Sequence, residues 1–257
     1  QEKLKIPVYG QLTPYVDLAW RLEGSQTDDP LMLTLLAGLL QNGPAGLMDL
    51  NLNQQQKVLE SESWAWMYED YSVFGLYGKP REGQSLEEVE QLMLAELDKV
   101  RRGDFPDWLL EGVRRDLKLA ELEAFEHNKG RIGAITQAFI LGIPWERFVG
   151  RFEWYHKVTR ADIMDFVRHR IQDNYVLIHK LQGNDPTVIK VEKPPITPVE
   201  INRDAVSDFA REFMQLPAPD LKPEFPDYAD MIGNVQLQNG LSLDYVHNRD
   251  NELFRFD

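Results

Sequence analysis

Apolar and polar residues alternate from Tyr15 to Glu23, with Val16, Leu18, Trp20 and Leu22 set against Tyr15, Asp17, Arg21 and Glu23. This pattern predicts a strand buried on one face. The next run, Leu31 to Leu40, is apolar on nearly every side and predicts a helix held between other elements. Asp29 is placed to cap it, Pro30 suits its first turn, and Asn42-Gly-Pro-Ala-Gly46 stops it. Leu47 to Gln56 reads as a short second helix. From Leu59 to Gly78 the chain turns aromatic, with Trp64, Trp66, Tyr68, Tyr71, Phe74 and Tyr77, and predicts a long hairpin turning at Glu69-Asp70.

Helical spacing then returns. Ser85-Leu-Glu-Glu88 has the form of a capping box, Leu86, Val89, Met93, Leu97 and Val100 follow on one face, and Arg101-Arg102-Gly103 closes the element. Leu109, Leu110, Val113, Leu117 and Leu122 begin a longer helical stretch that bends near Gly130 and reaches Leu141. Pro144 opens another helix. Thr159 and Asp162 form a further capping box, with Val158 and Ile163 as its hydrophobic staple, and Asn174 to Gly183 reads as a closing strand. The order strand, helices, hairpin, helices, strand predicts an α+β two-layer sandwich, a mainly antiparallel sheet packed against several helices.

Beyond Gly183 the composition changes, because eight of the 15 prolines fall between Pro186 and Pro226. We therefore expect an α+β domain over 1–183, a proline-rich linker over 184–233, and over 234–257 a hairpin around Asn239-Gly240 that opens a following domain. One helix is expected between Pro198 and Gln215.

The 257 residues carry 42 acidic against 28 basic side chains, a formal net charge of -14, which opposes nucleic-acid and anionic-membrane partners. The longest apolar run is too short to cross a bilayer, so no membrane span is expected. Cysteine is absent, which removes thiol nucleophiles, disulfides and cysteine-containing zinc sites but leaves the compartment open, with a periplasmic or exported location as the expectation. The opening Gln-Glu-Lys-Leu-Lys has neither initiator Met nor signal core and reads as a processed or excised piece.

Candidate chemistry is sparse. Zinc hydrolysis on a helix needs two histidines four residues apart beside a glutamate, and the nearest approach, Glu123-Ala-Phe-Glu126-His127, has glutamate where the first histidine belongs. It reads better as an exposed acidic face. His156, His169, His179 and His247 lack partners at ligand spacing, and Ser61, Ser63 and Ser72 lie in or beside strand-like segments with no nucleophile-elbow motif. Asn42-Gly-Pro-Ala-Gly46 lies between helices rather than between strand and helix, so it reads as a stop rather than a phosphate loop. Trp64, Trp66, Tyr68 and Tyr71 could form a ligand or peptide platform on one sheet face, although core or domain interface is the expected role. No catalytic, cofactor-binding or metal residue is assigned.

Taken in order, these segments resemble a non-catalytic, second domain of the pitrilysin/insulinase (M16) family of zinc metallopeptidases. The strand Tyr15-Val-Asp-Leu-Ala-Trp20, the helix from Asp29 to Gln41 with its Gly43-Pro-Ala-Gly-Leu47 exit, Val158-Thr-Arg-Ala-Asp-Ile163 and Tyr175-Val-Leu-Ile178 carry the likeness over roughly Leu12 to Gly183. Lys193-Pro-Pro-Ile-Thr-Pro-Val-Glu-Ile-Asn202 is similar to the connector between the halves of a long family member, and Asn239 to Asn248 to the opening strands of the next repeat. The family's inverted motif, His-x-x-Glu-His, belongs to the first long helix of its first domain. The comparable helix here, Leu31 to Leu40, has neither His nor Glu, so no catalytic residue is carried over. The resemblance implies a zinc endopeptidase as parent, with no cofactor in this chain and its zinc in the parent's first domain. Adjacent domains of the same polypeptide and unfolded peptide would be the partners, and this domain would form part of a chamber wall. The alternative is a scaffold or binding module of a proteolytically inactive relative.

Overall fold

The computed structural model describes residues 3–185, 187, 192–218, 220, 222, 223, 225, 227–251 and 253–255. Pro186 and Pro226, which bound the proline-rich segment, lie outside the described residues, as do Gln1, Glu2 and Phe256. The chain forms two compact units, Gln1–Val188 and Ile189–Asp257.

The first unit is built on a five-stranded sheet of order β1-β5-β2-β4-β3, comprising β1 (Leu4–Gly10), β2 (Tyr15–Glu23), β3 (Glu60–Met67), β4 (Tyr71–Lys79) and β5 (Val176–Gln182). All neighbouring pairs are antiparallel except β1 and β5, which run parallel from Leu4 beside Val176 to Gly10 beside Gln182. The expected α+β class therefore holds. The addition is β1, an edge strand whose Pro7 is tolerable because an edge needs only half of its ladder.

Helices cover one face of this sheet. Val16, Leu18, Trp20 and Leu22 of β2, with Phe74 and Leu76 of β4, point into the core and meet α1 (Asp29–Leu40), which buries Leu33, Leu35, Leu36, Leu39 and Leu40 on several sides. The helix α2 (Leu86–Arg102) adds Val89, Met93, Leu97 and Val100 to the same core. Ser85 caps α2 by accepting from the Glu88 amide, but Glu88 takes its own hydrogen bond from Gln84 Nε2 at 2.9 Å, so the capping box is half formed. Gly103 ends the helix at φ 75°, a left-handed value that glycine adopts without strain.

Three expectations shift by a few residues. Asp28, not Asp29, is the cap position of α1, and the Asp29 carboxylate instead accepts from the Glu23 amide at 3.2 Å and pairs with Arg170. The expected second helix winds as a π-helical turn, Asp49–Asn53, in which the Gln54 amide donates to the Asp49 carbonyl five residues back. The long stretch after Asp104 breaks at Glu126-His127 into α3 (Asp107–Phe125) and α4 (Asn128–Ile140), slightly before Gly130. Gly130 is still required, since a side chain there would strike the Ala124 carbonyl as the chain folds back over α3.

The short helices α5 (Trp145–Val149) and α6 (Arg151–Lys157) lead to α7 (Arg160–Arg170), where the Thr159 and Asp162 capping box is complete. In the second unit, α8 (Asp208–Met214) lies between Pro198 and Gln215, and the hairpin of β6 (Ile232–Gln236) and β7 (Ser242–Val246) begins two residues before the expected 234. The hairpin turns through three residues, closed by Leu237 and Leu241, with Gly240 at φ 87° supplying the left-handed position.

A candidate binding face on the open side of the sheet

Strand alternation sends every second residue to the face away from α1 and α2, and the register aligns these residues in rows across the strands. In one row Ala19 lies beside Gly75, and Gly75 beside Trp64. The Trp64 indole occupies the space that a Gly75 side chain would fill, so the ring lies flat on the sheet. The next row toward the hairpin turn carries Arg21, Val73 and Trp66, and Trp66 stands 4.5 Å from Trp64 between ring centroids. The row on the other side carries Ile178, Asp17, Tyr77 and Glu62. Tyr15 packs against Tyr77 at 5.2 Å.

The aromatic set read from the sequence is therefore not core. Trp66 is 57% exposed and Tyr68 41% exposed, while the buried aromatics of the strands, Trp20 and Phe74, lie on the helix side. What alternation alone did not single out is the membership of Tyr15, Asp17 and Tyr77. That grouping depends on which strand stands next to which.

Charge on this face is unevenly satisfied. The Lys79 ammonium pairs with Glu60 and lies 5.5 Å from the Tyr77 ring centre. Arg21 lies over the Tyr71 ring at 4.8 Å, and the buried Lys180 ammonium donates to the carbonyls of Leu12 and Thr13. Asp17 differs: among the described residues its carboxylate accepts no hydrogen bond and makes no ion pair, and burial pushes its pKa up to about 6. The Glu62 carboxyl is also pushed up, by burial and then by its neighbour Glu60.

The histidines are dispersed. His127 marks the break between α3 and α4, with extended backbone at φ -111° and ψ 141°, so Glu123 and His127 do not share the continuous helix face that a ligand pair would need. His156 and His247 are exposed, and His169 Nδ1 lies 2.8 Å from the Asp165 carbonyl within its own helix. His179 alone is buried, under α2, with Nδ1 3.4 Å from Glu87 and Nε2 3.5 Å from Glu90. Glu90 also accepts from Lys3 at 2.7 Å and from the Tyr175 hydroxyl at 3.2 Å, so this cluster ties β1 and β5 to the helix. Its ring nitrogens face different carboxylates rather than converging with them. Among the described residues no three His, Asp or Glu side chains are grouped to hold a metal ion. The three serines donate to fixed partners: Ser61 to Asn53, Ser63 to the Ala37 carbonyl and Ser72 to the Glu23 carbonyl.

Residues 3–117 match the family model described as the peptidase M16 inactive domain. No curated protein matches the chain by sequence. Among solved structures, a protease from Helicobacter pylori superposes with TM-score 0.64 at 14% identity, over 68% of this chain and 43% of that one. An inactive peptidase domain from Bordetella parapertussis gives 0.59 at 16% identity, over 69% of this chain and 97% of that one. A peptidase M16 inactive domain from Pseudomonas fluorescens gives 0.58 at 12% identity, over 75% of this chain and 45% of that one. The chain thus spans less than half the length of the Helicobacter and Pseudomonas chains and nearly all of the Bordetella domain.

Proposed function

We infer that this chain, whose residues 3–117 are a peptidase M16 inactive domain, is a non-catalytic domain of a zinc-dependent endopeptidase and forms part of the wall of a chamber that encloses unfolded peptide. The family match, over a domain whose first long helix reads Asp-Pro-Leu-Met-Leu-Thr-Leu-Leu-Ala-Gly-Leu-Leu, carries this reading. That helix carries neither histidine nor glutamate, and among the described residues no three His, Asp or Glu side chains are grouped to hold a metal ion. The zinc of the parent protein is assigned to another domain. The open sheet face supports the wall role: a broad surface of rings contacts varied side chains through area and flatness rather than through one shaped pocket.

Two measurements test this reading. The purified chain is expected to bind no stoichiometric zinc and to leave an unstructured fluorogenic peptide intact; cleavage abolished by Glu126→Gln would overturn the non-catalytic assignment. The coding sequence upstream of Gln1 is expected to contain His-x-x-Glu-His. A parent protein without that motif would make the chain a scaffold module instead.

A further inference from the structure

We propose that the row Asp17, Tyr77 and Glu62 is a subsite for a basic side chain, lysine or arginine, of an extended peptide lying across the open sheet face. The proposal rests on the peptide-wall reading above and adds a specificity to it. Its starting point is the mismatch of charges on the face. The cations that neighbour Asp17 are already engaged, Lys79 by Glu60 on the β4 and β3 side and Lys180 by two backbone carbonyls on the β5 side. Its direct cross-strand neighbours are Tyr77 and Ile178, and neither brings positive charge. A carboxylate half withdrawn from water without a partner is a group that a complementary ligand would satisfy.

Geometry defines what that ligand must carry. Tyr77 stands between Asp17 and Glu62 in register, on strands whose backbones lie about 5 Å to either side, and the Lys79 ammonium 5.5 Å from its ring centre is held by Glu60, so a further cation on the Asp17 side of the ring meets carboxylates from both neighbouring strands. The Tyr15 ring, tilted 46° to Tyr77, adds a second aromatic surface beside the same position. Rings flanked by carboxylates favour a guanidinium or ammonium group through cation–π attraction and ion pairing together. An anionic side chain there would meet two like charges. The flat Trp64 and the exposed Trp66 continue the surface one and two rows on, where a peptide's uncharged side chains can rest.

The experiment uses the whole chain and two unstructured peptides of about twelve residues, long enough to span the sheet. They are identical except for arginine or glutamine at the central position, and binding is followed by calorimetry at physiological salt. The arginine peptide is expected to bind about tenfold more tightly, a ratio within reach of a partly desolvated ion pair with cation–π support. Asp17→Asn should reduce that ratio to about twofold or less, and Glu62→Gln should lower it partially, since Tyr77 and Asp17 remain. Thermal melts of both variants establish that they are folded. Equal binding of the two peptides by the native chain overturns the subsite and leaves the wall reading standing. A tenfold ratio that survives Asp17→Asn in a folded variant also overturns it. Failure of both peptides to bind removes the wall reading and the subsite together.

Discussion

Asp17 shows how one residue can weigh stability against recognition. It sits in β2 between two fully buried neighbours, Val16 and Leu18, and its own side chain is half withdrawn from water on the opposite face without a partner. Its pKa rises from 3.8 to about 6 because burial disfavours the charged form. Well below pH 3.8 the carboxyl is neutral in folded and unfolded chains alike and costs nothing. Between pH 4 and 6 the unfolded chain ionises first, so stability falls as pH rises, and above pH 7 the full cost persists. Asp17→Asn is therefore expected to raise the melting temperature at pH 8 while leaving it nearly unchanged at about pH 3. Solvent screening of this partly exposed group holds the gain to about 1–2 kcal/mol. Urea titrations of both proteins at several pH values check this, and a difference independent of pH would show that Asp17 carries no such cost. A stabilising substitution that also lowers arginine selectivity would identify the residue as one retained for binding.

At the scale of elements, the close approach of α1 and α3 offers a sharp test. Gly38 lies on the α1 surface facing Val113 of α3, and a side chain there would come within 2.5 Å of a Val113 methyl group. Alanine ordinarily favours a helix over glycine by about 1 kcal/mol, but overpacking at such a contact costs about 1–3 kcal/mol. Gly38→Ala should therefore be neutral to destabilising alone. In a Val113→Ala background, where the obstructing methyls are gone, it should stabilise by about 1 kcal/mol. Additive effects in this double-mutant cycle, measured by urea denaturation, would mean that the helices are not held by that contact.

The same scale shows what local sequence carries and where it stops. The Thr159 capping box, the Gly103 stop and the Glu69-Asp70 turn depend on residues within one turn of each other, and each stands where it was expected. The hairpin closes with neither turn residue at positive φ, so glycine was not needed. The break of the long helix was misplaced because Gly130 acts through the Ala124 carbonyl of the preceding helix, a contact that helical periodicity does not describe. The strand β1 alternates Leu4, Ile6 and Val8 plainly enough, but Pro7 argues against a strand until its edge position is known. Its parallel partner, β5, lies more than 160 residues away, a pairing that no local pattern encodes.

Across the whole molecule, the candidate binding face was legible only as an aromatic run. Trp64 and Trp66 announce themselves by alternation, whereas Asp17 and Tyr77 join them through the pairing of β2 with β4, so the charge imbalance is a property of the assembled sheet. Stability is similarly concentrated. Every residue of the two hydrophobic clusters belongs to Gln1–Val188, while among the described residues of Ile189–Asp257 none is buried. A two-stranded hairpin with both faces exposed gains too little from its ladder to offset the entropy of ordering its chain. A chain ending at residue 188 is accordingly expected to melt within about 3 °C of the 257-residue protein, roughly the shift that a loss of 1 kcal/mol produces in a domain of this size. The segment 189–257 alone should show no cooperative transition by circular dichroism. A much larger drop on truncation would assign the hairpin to this domain rather than to a following one.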